Sequence, residues 1–236
     1  MRECQDLAEW ASDIEREIQE RADREQAGRK AEEARRRDEQ RRLDDWFPVG
    51  PRAERQTWDT YEPQTPRQAA TRDQLRLWAE RGLGGDGRGW YCMGPVGVGK
   101  SHLAHAVANT FRARTAPVLA VSVPAFLARI RATYDAKASD DGGAIEAAAA
   151  RVPLLILDDL GSERPTEWAL ERLFLLIDRR YELCLATGIT TNWKPKDLQE
   201  MIGPRIVSRL LEMCDLMTLD GDDFRVGRAK NRGRSL

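Results

Sequence analysis

The stretch Gly94-Pro95-Val96-Gly97-Val98-Gly99-Lys100-Ser101 carries the pattern G-x-x-x-x-G-K-[ST] at every fixed position. Its glycines permit a tight backbone turn and leave no side chain between the loop and a bound anion. Successive backbone N–H groups then point into one concavity that favours anions. Lys100 can bring positive charge to the β- and γ-phosphates of a nucleotide, and Ser101 can offer a hydroxyl to Mg²⁺. The stretch therefore predicts a nucleotide phosphate site.

The sequence on either side predicts the strand and the helix that such a loop needs. Trp90-Tyr91-Cys92-Met93 is a short apolar run typical of a buried strand, and a helix is expected from Ser101 to Arg112. A helix that follows the loop directly turns its N-terminus toward the phosphates. His102 is included among the expected nucleotide-binding residues, whereas His102 and His105 together lack the third ligand of a metal site.

The composition narrows the class of protein. The 236 residues suffice for one α/β domain with an appendage, and they are 41% hydrophobic and 33% charged with a formal net charge of −1. This balance argues against a wholly basic nucleic-acid binder and leaves room for a local basic face. The four cysteines lie far apart without a C-x-x-C pair, so no zinc site is expected. No apolar run approaches the roughly 20 residues that span a bilayer, and we expect a cytoplasmic protein without a membrane segment.

The chain divides into four regions. Residues 1–45 are rich in Glu, Arg, Asp, Gln and Ala and predict a long charged helix. Residues 46–72 carry four prolines and several aromatic residues, and predict a linker that lies against the next domain. Residues 73–228 predict the folded domain, and residues 229–236 form a basic tail. The first helix has a large apolar stripe only at its beginning (Leu7, Trp10, Ile14 and Ile18), so it is either a solvated helix or a helix that docks on a partner.

The alternation of apolar and helical stretches after residue 73 predicts a parallel sheet covered by helices on both faces. The predicted strands are Trp90–Met93, Val118–Val123, Leu154–Asp158, Gly188–Asn192 and Leu216–Leu219. The predicted helices are Gln74–Arg81, Ser101–Arg112, Pro124–Tyr134, Ile145–Ala150, Thr166–Tyr181 and Arg205–Met213, with a mobile loop over Lys137 to Gly143.

Polar residues at the ends of two predicted strands complete a candidate hydrolytic site. Asp158 and Asp159 follow the apolar run from Leu154 to Leu157, and ligands collect at the carboxyl ends of such strands. Asp158 is expected to hold Mg²⁺, and Asp159 to orient or polarise an attacking water. Asn192 is expected to hydrogen-bond the γ-phosphate or that water; as an alternative, it is a turn residue.

Three arginines are candidates to stabilise charge in the transition state of phosphoryl transfer. Arg205 and Arg209 share one face of a predicted helix and could reach the site of a neighbouring subunit, or be surface ion-pair residues. Arg225, just after the last strand, could reach the nucleotide of its own subunit.

Four segments, taken in order, resemble the bacterial helicase-loader ATPases of the DnaC/DnaI type, a branch of the AAA+ superfamily with IstB-like relatives. They are the phosphate loop continued to Ala104, Leu157 to Glu163, Thr190 to Asn192, and Arg205 to Asp215. The resemblance begins near the aromatic stretch Trp58-Asp59-Thr60-Tyr61 and extends to about Arg228. It implies an α/β fold of the AAA+ P-loop NTPase type, with a parallel five-stranded sheet and without the helical lid, behind the long charged N-terminal helix.

The resemblance also implies an ATPase with ATP and Mg²⁺ as cofactors, and a role for each matching residue. By position, Lys100 and Ser101 match Walker A, Asp158 and Asp159 match Walker B, Asn192 matches sensor 1, Arg225 matches sensor 2, and Arg209 matches the arginine finger better than Arg205 does.

The partners that the resemblance implies are a hexameric replicative helicase, gripped through residues 1–45, single-stranded DNA, and further copies of the chain in an arc or spiral. The chain lacks the cysteine cluster that binds zinc in part of the family, so the charged helix from Leu7 would have to provide the grip. Phe126 and Tyr134 are candidates to stack on DNA bases, with core packing as the alternative for each.

Two other functions fit the same core. An IstB-like transposition helper ATPase would bind duplex DNA together with a transposase. A nucleotide-switched adaptor would bind ATP and rarely hydrolyse it, although the presence of both Asp158 and Asp159 argues against that function.

Overall fold

The computed structural model of the protein describes residues 2–135, 141–162 and 165–226, with side chains from residue 16 onward except 134, 135 and 141. Within these ranges the helices are α1 (Arg2–Trp46), α2 (Pro51–Glu54), α3 (Pro66–Arg81), α4 (Lys100–Ala113), α5 (Val123–Asp135), α6 (Asp141–Arg151), α7 (Glu167–Glu182), α8 (Pro195–Ile202) and α9 (Pro204–Met213). The strands are β1 (Gly89–Met93), β2 (Val118–Ser122), β3 (Leu154–Leu160), β4 (Ala186–Thr191) and β5 (Cys214–Thr218). Among the described residues, no helix has both the length and the apolar character to cross a bilayer.

The five strands form one parallel sheet in the order β2-β3-β4-β1-β5. In the register of β1, Trp90 lies opposite Gly188 of β4 on one side and Asp215 of β5 on the other. Parallel strands end at the same edge of a sheet, so the loops that follow β1, β3, β4 and β5 meet there. The predicted parallel five-stranded sheet is confirmed, and its strand order leaves only β4 between the strand that leads into the phosphate loop and β3, which carries the two acids.

Each face of the sheet carries its own hydrophobic core, because successive strand residues point to opposite faces. Trp90 and Ile156 pack with α3 and α4 on one face. Tyr91 and Leu157 pack with α5, α6, α7 and α9 on the other. The predicted cover of helices on both faces is therefore also present.

The long helix α1 has two parts with different surroundings. Residues 16–38 are largely exposed and carry ion pairs one turn apart, such as Arg24 with Glu20 at 3.1 Å. The end of the helix returns to the folded domain: Leu43 is only 2% exposed, and Gln40 Oε1 accepts the backbone N–H of Val118 at 2.8 Å. The sequence predicts the helix itself but not this attachment to β2.

Some elements start or end at other residues than predicted. Helix α3 begins at Pro66 rather than Gln74, because the Thr65 hydroxyl accepts the Gln68 N–H as an N-cap and proline suits the first helical turn. Helix α6 begins at Asp141, so residues 141–143 of the expected loop are helical. Helix α8 is absent from the predicted elements. Strands β4 and β5 each begin two residues earlier than predicted, at Ala186 and Cys214.

Several predictions concern residues or side chains that the structure does not describe. The residues are those of the predicted mobile loop at 137–140 and of the tail at 229–236. The side chains are those of Tyr134 and of the apolar stripe at Leu7, Trp10 and Ile14. Ile18, which ends that stripe, is 64% exposed.

A buried arginine ties three elements together on one face of the sheet. Arg180 of α7 is fully buried and donates to the carbonyls of Ala149 and Val152 at the end of α6, at 2.9 and 2.8 Å. It also donates to Ala186 O at 2.6 Å and Thr187 Oγ1 at 2.9 Å at the start of β4. These acceptors are neutral, and burial lowers the pKa of Arg180. The guanidinium therefore acts as a fixed junction between α6, α7 and β4.

Candidate nucleotide-binding site

The phosphate-loop stretch connects β1 to α4 at the carboxyl edge of the sheet. Gly97 and Gly99 have backbone φ angles of +81° and +96°, which residues with a side chain rarely adopt. A Cβ atom on Gly97 would lie 2.0 Å from Asp223 Oδ1, and one on Gly99 would lie 2.5 Å from Tyr61 Cε2. Both positions therefore require glycine, for their backbone conformation and for the close approach of neighbouring side chains.

A cavity of about 1040 Å³ opens over this loop. Its volume is at the upper end of that of small-molecule sites. It brings together most of the residues that the sequence singles out: Val96, Gly97, Val98, Gly99, Lys100, Ser101, His102, Asp159, Asn192 and Arg225.

Lys100 is held at the centre of the site by neutral acceptors. Its ammonium donates to Gly94 O at 2.9 Å, to Pro95 O at 2.7 Å and to Asn192 Oδ1 at 2.7 Å. The residue is 5% exposed, and burial lowers the pKa of Lys100. An ammonium has three donors, so all of them are in use. Gly94 and Pro95 thus take part through their carbonyl groups.

Thr190 of β4 positions the two acids of β3. Asp158, 8% exposed, accepts a hydrogen bond from the Thr190 hydroxyl. Asp159 has a φ of +56°, and its backbone N–H donates to the same hydroxyl oxygen at 2.9 Å. The pairing of β3 with β4 is irregular between Leu157 and Leu160, which lets consecutive acids depart from ordinary strand alternation. Sequence reasoning missed this role, although two threonines before Asn192 at a strand end are a usable signal.

The electrostatic surroundings of Asp159 suit a group that polarises water. Burial raises the pKa of Asp159, the charge of Asp158 raises it further, and Lys100 and Arg225 act in the opposite direction. A carboxylate with a raised pKa is a better proton acceptor near neutral pH.

Asn192 and Arg225 reach the loop from two other strands. Asn192 follows β4, the strand between β1 and β3, and contacts Lys100 as described. The segment after β5 folds back over the loop, where the Phe224 N–H donates to Gly97 O at 3.1 Å. This contact carries the exposed Arg225 into the lining of the cavity.

Ser101 and Asp158 fit the needs of Mg²⁺, which takes one or two protein oxygens and completes its shell with water and substrate phosphates. Ser101 lines the cavity, whereas Asp158 does not and lies in β3 directly before Asp159, which does. In the described part of the chain, no group of three or more His, Cys, Asp and Glu side chains could hold a metal. A cation at Ser101 and Asp158 would therefore depend on nucleotide phosphates for its other ligands.

His102 of α4 contacts residues 57–61, which precede the predicted domain. Its Nε2 lies 2.9 Å from Thr57 O, and its ring packs edge-on against Tyr61 with centroids 5.3 Å apart. Burial lowers the pKa of His102. Tyr61 in turn donates its hydroxyl to Val98 O at 3.2 Å, so this segment braces the phosphate loop.

Arg205 and Arg209 lie outside this cavity, on the surface formed by α7 and α9. Arg209 forms an ion pair with Asp178, and its guanidinium lies 4.9 Å from the ring centroid of Phe174 and 5.8 Å from that of Tyr181. Arg205, one turn earlier, is exposed. The two arginines thus cannot serve the site of their own subunit in this arrangement.

Phe126 is 1% exposed and packs against Phe47 with ring centroids 6.1 Å apart. Of the alternatives stated for it, core packing applies. It is therefore not available to stack on a base in this conformation.

The cavity also has lining residues that were not expected from the sequence. Among them are Arg52 and Arg55, which composition places in the linker. No local pattern marks them, because their approach depends on how residues 51–61 fold back over α4.

The sequence of the chain is similar to a known protein family and to curated proteins. The family model described as IstB-like ATP binding protein matches residues 30–232. The replicative helicase loader DnaI of Bacillus subtilis (strain 168) is 26% identical over 155 residues, which cover 60% of this chain and 49% of the relative. The chain spans about half the length of the curated relatives it matches.

Solved structures share the fold. The crystal structure of the DnaC helicase loader matches with a TM-score of 0.65 and 27% sequence identity, over 72% of this chain and 99% of that one. The replication initiator DnaA bound to AMPPCP and single-stranded DNA matches with a TM-score of 0.63 over 80% of this chain and 57% of that one. Its 20% identity makes it evidence for the fold alone. The AAA+ type of fold expected from the sequence is confirmed.

Proposed function

The chain belongs to the IstB-like ATP-binding protein family, and from this premise we propose that it is an ATP-hydrolysing loader of a hexameric replicative helicase onto single-stranded DNA. The observation that carries the proposal is the convergence of Lys100, Asp159 and Arg225 on one cavity over the phosphate loop. Similarity to proteins named as the DnaI and DnaC helicase loaders supports the choice of partner.

Lys100 and Asn192 couple nucleotide binding to the hydrolytic site. The three acceptors of Lys100 are neutral, whereas phosphate oxygens are charged and accept stronger hydrogen bonds. ATP would therefore draw the ammonium away from Asn192. The freed amide could then hydrogen-bond the γ-phosphate or the attacking water.

The remaining groups of the site divide the work of phosphoryl transfer. Ser101 and Asp158 would hold Mg²⁺, which supplies positive charge to the phosphates. Asp159, whose pKa burial raises, would orient and polarise the attacking water. Arg225 would stabilise negative charge from within the same subunit.

Arg209 is proposed to act on the nucleotide of a neighbouring subunit when the chains assemble into an arc or spiral. Its ion pair with Asp178 must open before the guanidinium can extend, so assembly would compete with an internal contact. Arg205 is exposed on the same surface and is the second candidate for this role.

Two substitutions test this division of labour. Lys100→Ala is expected to weaken ATP binding, whereas Arg209→Ala is expected to leave binding intact and to lower only assembly-dependent hydrolysis. Equal loss of nucleotide affinity in the two variants would contradict it.

The exposed part of α1 is proposed to grip the helicase. We would mix the protein with the replicative helicase of its host and ATP, and measure the mass of the complex by light scattering. The shortened variant should lack residues 1–36 only, because Gln40 and Leu43 pack on the folded domain. A complex that needs residues 1–36 supports the loader function, and the absence of any complex under all nucleotides would refute it.

A second candidate is the transposition helper ATPase, because the matching family model is described as IstB-like. Such a protein would prefer duplex over single-stranded DNA. Fluorescence anisotropy with the two forms of one oligonucleotide, in the presence of ATP, separates the candidates.

A further inference from the structure

Arg52 and Arg55 lie at the nucleotide cavity although they precede the predicted domain by some twenty residues. Both line the same cavity of about 1040 Å³ as Lys100 and Arg225. Both are exposed, and neither guanidinium has a hydrogen bond or ion pair among the described residues. Four cations therefore face this cavity, against the two carboxylates of Glu62 and Asp159.

The backbone that carries these arginines is fastened to α4. Asn109 Nδ2 of α4 donates to Ala53 O at 2.9 Å and to Gln56 O at 3.0 Å. The indole N–H of Trp58 donates to Thr110 Oγ1 at 2.8 Å, also on α4. Because the phosphate loop leads directly into α4, these contacts fix the arginines relative to the phosphate site.

Arg52 lines the cavity together with Ser101 and His102, which lie in the first turn of α4. The N-terminus of a helix already favours anions, so the positive charge of Arg52 adds to that of the backbone.

A phosphate chain is the ligand that this arrangement fits best. Arginine binds phosphate oxygens with paired N–H donors, whereas Lys100 acts as a point charge with three donors. The lining residues from Val96 to His102 are the phosphate loop itself, so the arginines share one space with it. A nucleic-acid backbone would be the other phosphate source, and the experiment below separates it.

We propose that Arg52 of α2 and Arg55, the residue that follows this helix, bind the phosphates of the nucleotide alongside Lys100 and Arg225, an inference that rests on the proposed ATP site. The phosphate site then extends beyond the recognised motifs to a segment that precedes them. Any displacement of residues 51–56 would change nucleotide affinity.

The test compares the variants R52Q, R55Q and R52Q/R55Q with the wild type. R81Q is the matched control, because Arg81 is an exposed arginine at the end of α3 outside the cavity. Affinity is measured by titration of a fluorescent ATP analogue and by its displacement with ATP and with inorganic tripolyphosphate, which has phosphates but no base or ribose. Unchanged thermal midpoints would show that the exposed substitutions leave folding intact.

We expect each single variant to lose about tenfold in affinity for ATP and for tripolyphosphate, as for one hydrogen bond to a charged group, and the control to lose none. A double variant within about twofold of the wild type for both ligands overturns the inference alone. A wild type that binds neither ligand overturns the proposed ATP site as well. Fluorescence anisotropy of a labelled single-stranded oligonucleotide is measured with the same variants. Lost affinity for the oligonucleotide with unchanged ATP affinity would assign the arginines to nucleic acid and also overturn the inference.

Discussion

Lys100 at the phosphate loop and Arg180 at the junction of α6, α7 and β4 are two buried cations held by neutral acceptors. Burial lowers the pKa of both side chains. Their surroundings differ, since Lys100 lines a cavity while Arg180 lies fully buried among packed elements. The same local chemistry therefore permits an exchange of partners at Lys100 and fixes the structure at Arg180.

The largest expected effect is the loss of stability when Arg180 is replaced. Arg180→Met removes four buried hydrogen bonds, three of them to carbonyl groups, at a net cost of about 3 kcal/mol in the free energy of unfolding. Urea unfolding measures it, with Arg179→Ala on the exposed face of α7 as a control expected to change stability by about 0.5 kcal/mol or less. A variant as stable as the control would show that Arg180 is not a junction.

Lys100→Ala should weaken ATP binding strongly and change stability only slightly, which is the reverse of the effect expected for Arg180→Met. Loss of the ammonium removes charge-assisted bonds to phosphate and weakens ATP binding about 100-fold, or about 2.7 kcal/mol. Stability should change by only about 1 kcal/mol, because Lys100 lines a cavity in which water can replace the lost hydrogen bonds, whereas Arg180 is fully buried. Calorimetric titration and urea unfolding of the same sample give both numbers. A large loss of stability would show that Lys100 fixes the structure as Arg180 does, and would contradict this comparison.

Arg209 provides an intermediate case, since it is partly buried but paired with the carboxylate of Asp178. Asp178→Asn removes the charge of the partner and should lower the free energy of unfolding by about 1 kcal/mol, with ATP affinity of the single chain unchanged. Urea unfolding checks this value against Glu171→Gln, which alters an exposed ion pair on the same helix. A change in ATP affinity would instead place Arg209 within reach of the site of its own subunit.

The smallest expected effect is the pH dependence of ATP binding through Lys100. Burial lowers the pKa of Lys100, so the neutral amine, which cannot pair with phosphate, appears at a lower pH than for an exposed lysine. ATP is already fully ionised above pH 7.5, so above that pH the affinity should fall as the pH rises through the lowered pKa of Lys100. Titrations across this range in Lys100→Ala should be flat. An equal slope in that variant would assign the effect to another group.

The sequence predicts those parts of the fold and the site that local patterns encode. The phosphate loop is one continuous motif, and Asp158, Asp159 and Asn192 each follow an apolar run. Because the strands of the predicted sheet are parallel, these residues are expected at the same edge of the sheet.

The features that were missed depend on contacts between distant parts of the chain. The Thr190 hydroxyl serves both acids only because of the irregular register of β3 and β4. The approach of Arg52 depends on how its segment fastens to α4. Helix α8 was missed for another reason: it is eight residues long and follows β4 closely, so its apolar residues Leu198 and Ile202 give too short a periodic pattern.

The hydrogen bond between Gln40 and the Val118 backbone also determines where the protein can be shortened. Strand β2 is at one margin of the sheet, and the end of α1 covers it. A fragment that starts after Leu43 would lose the partner of the Val118 N–H and uncover that margin, and exposed edge strands pair with other chains. We expect this fragment to aggregate and a fragment starting at residue 37 to remain dispersed, although charge composition alone would favour a cut near residue 45.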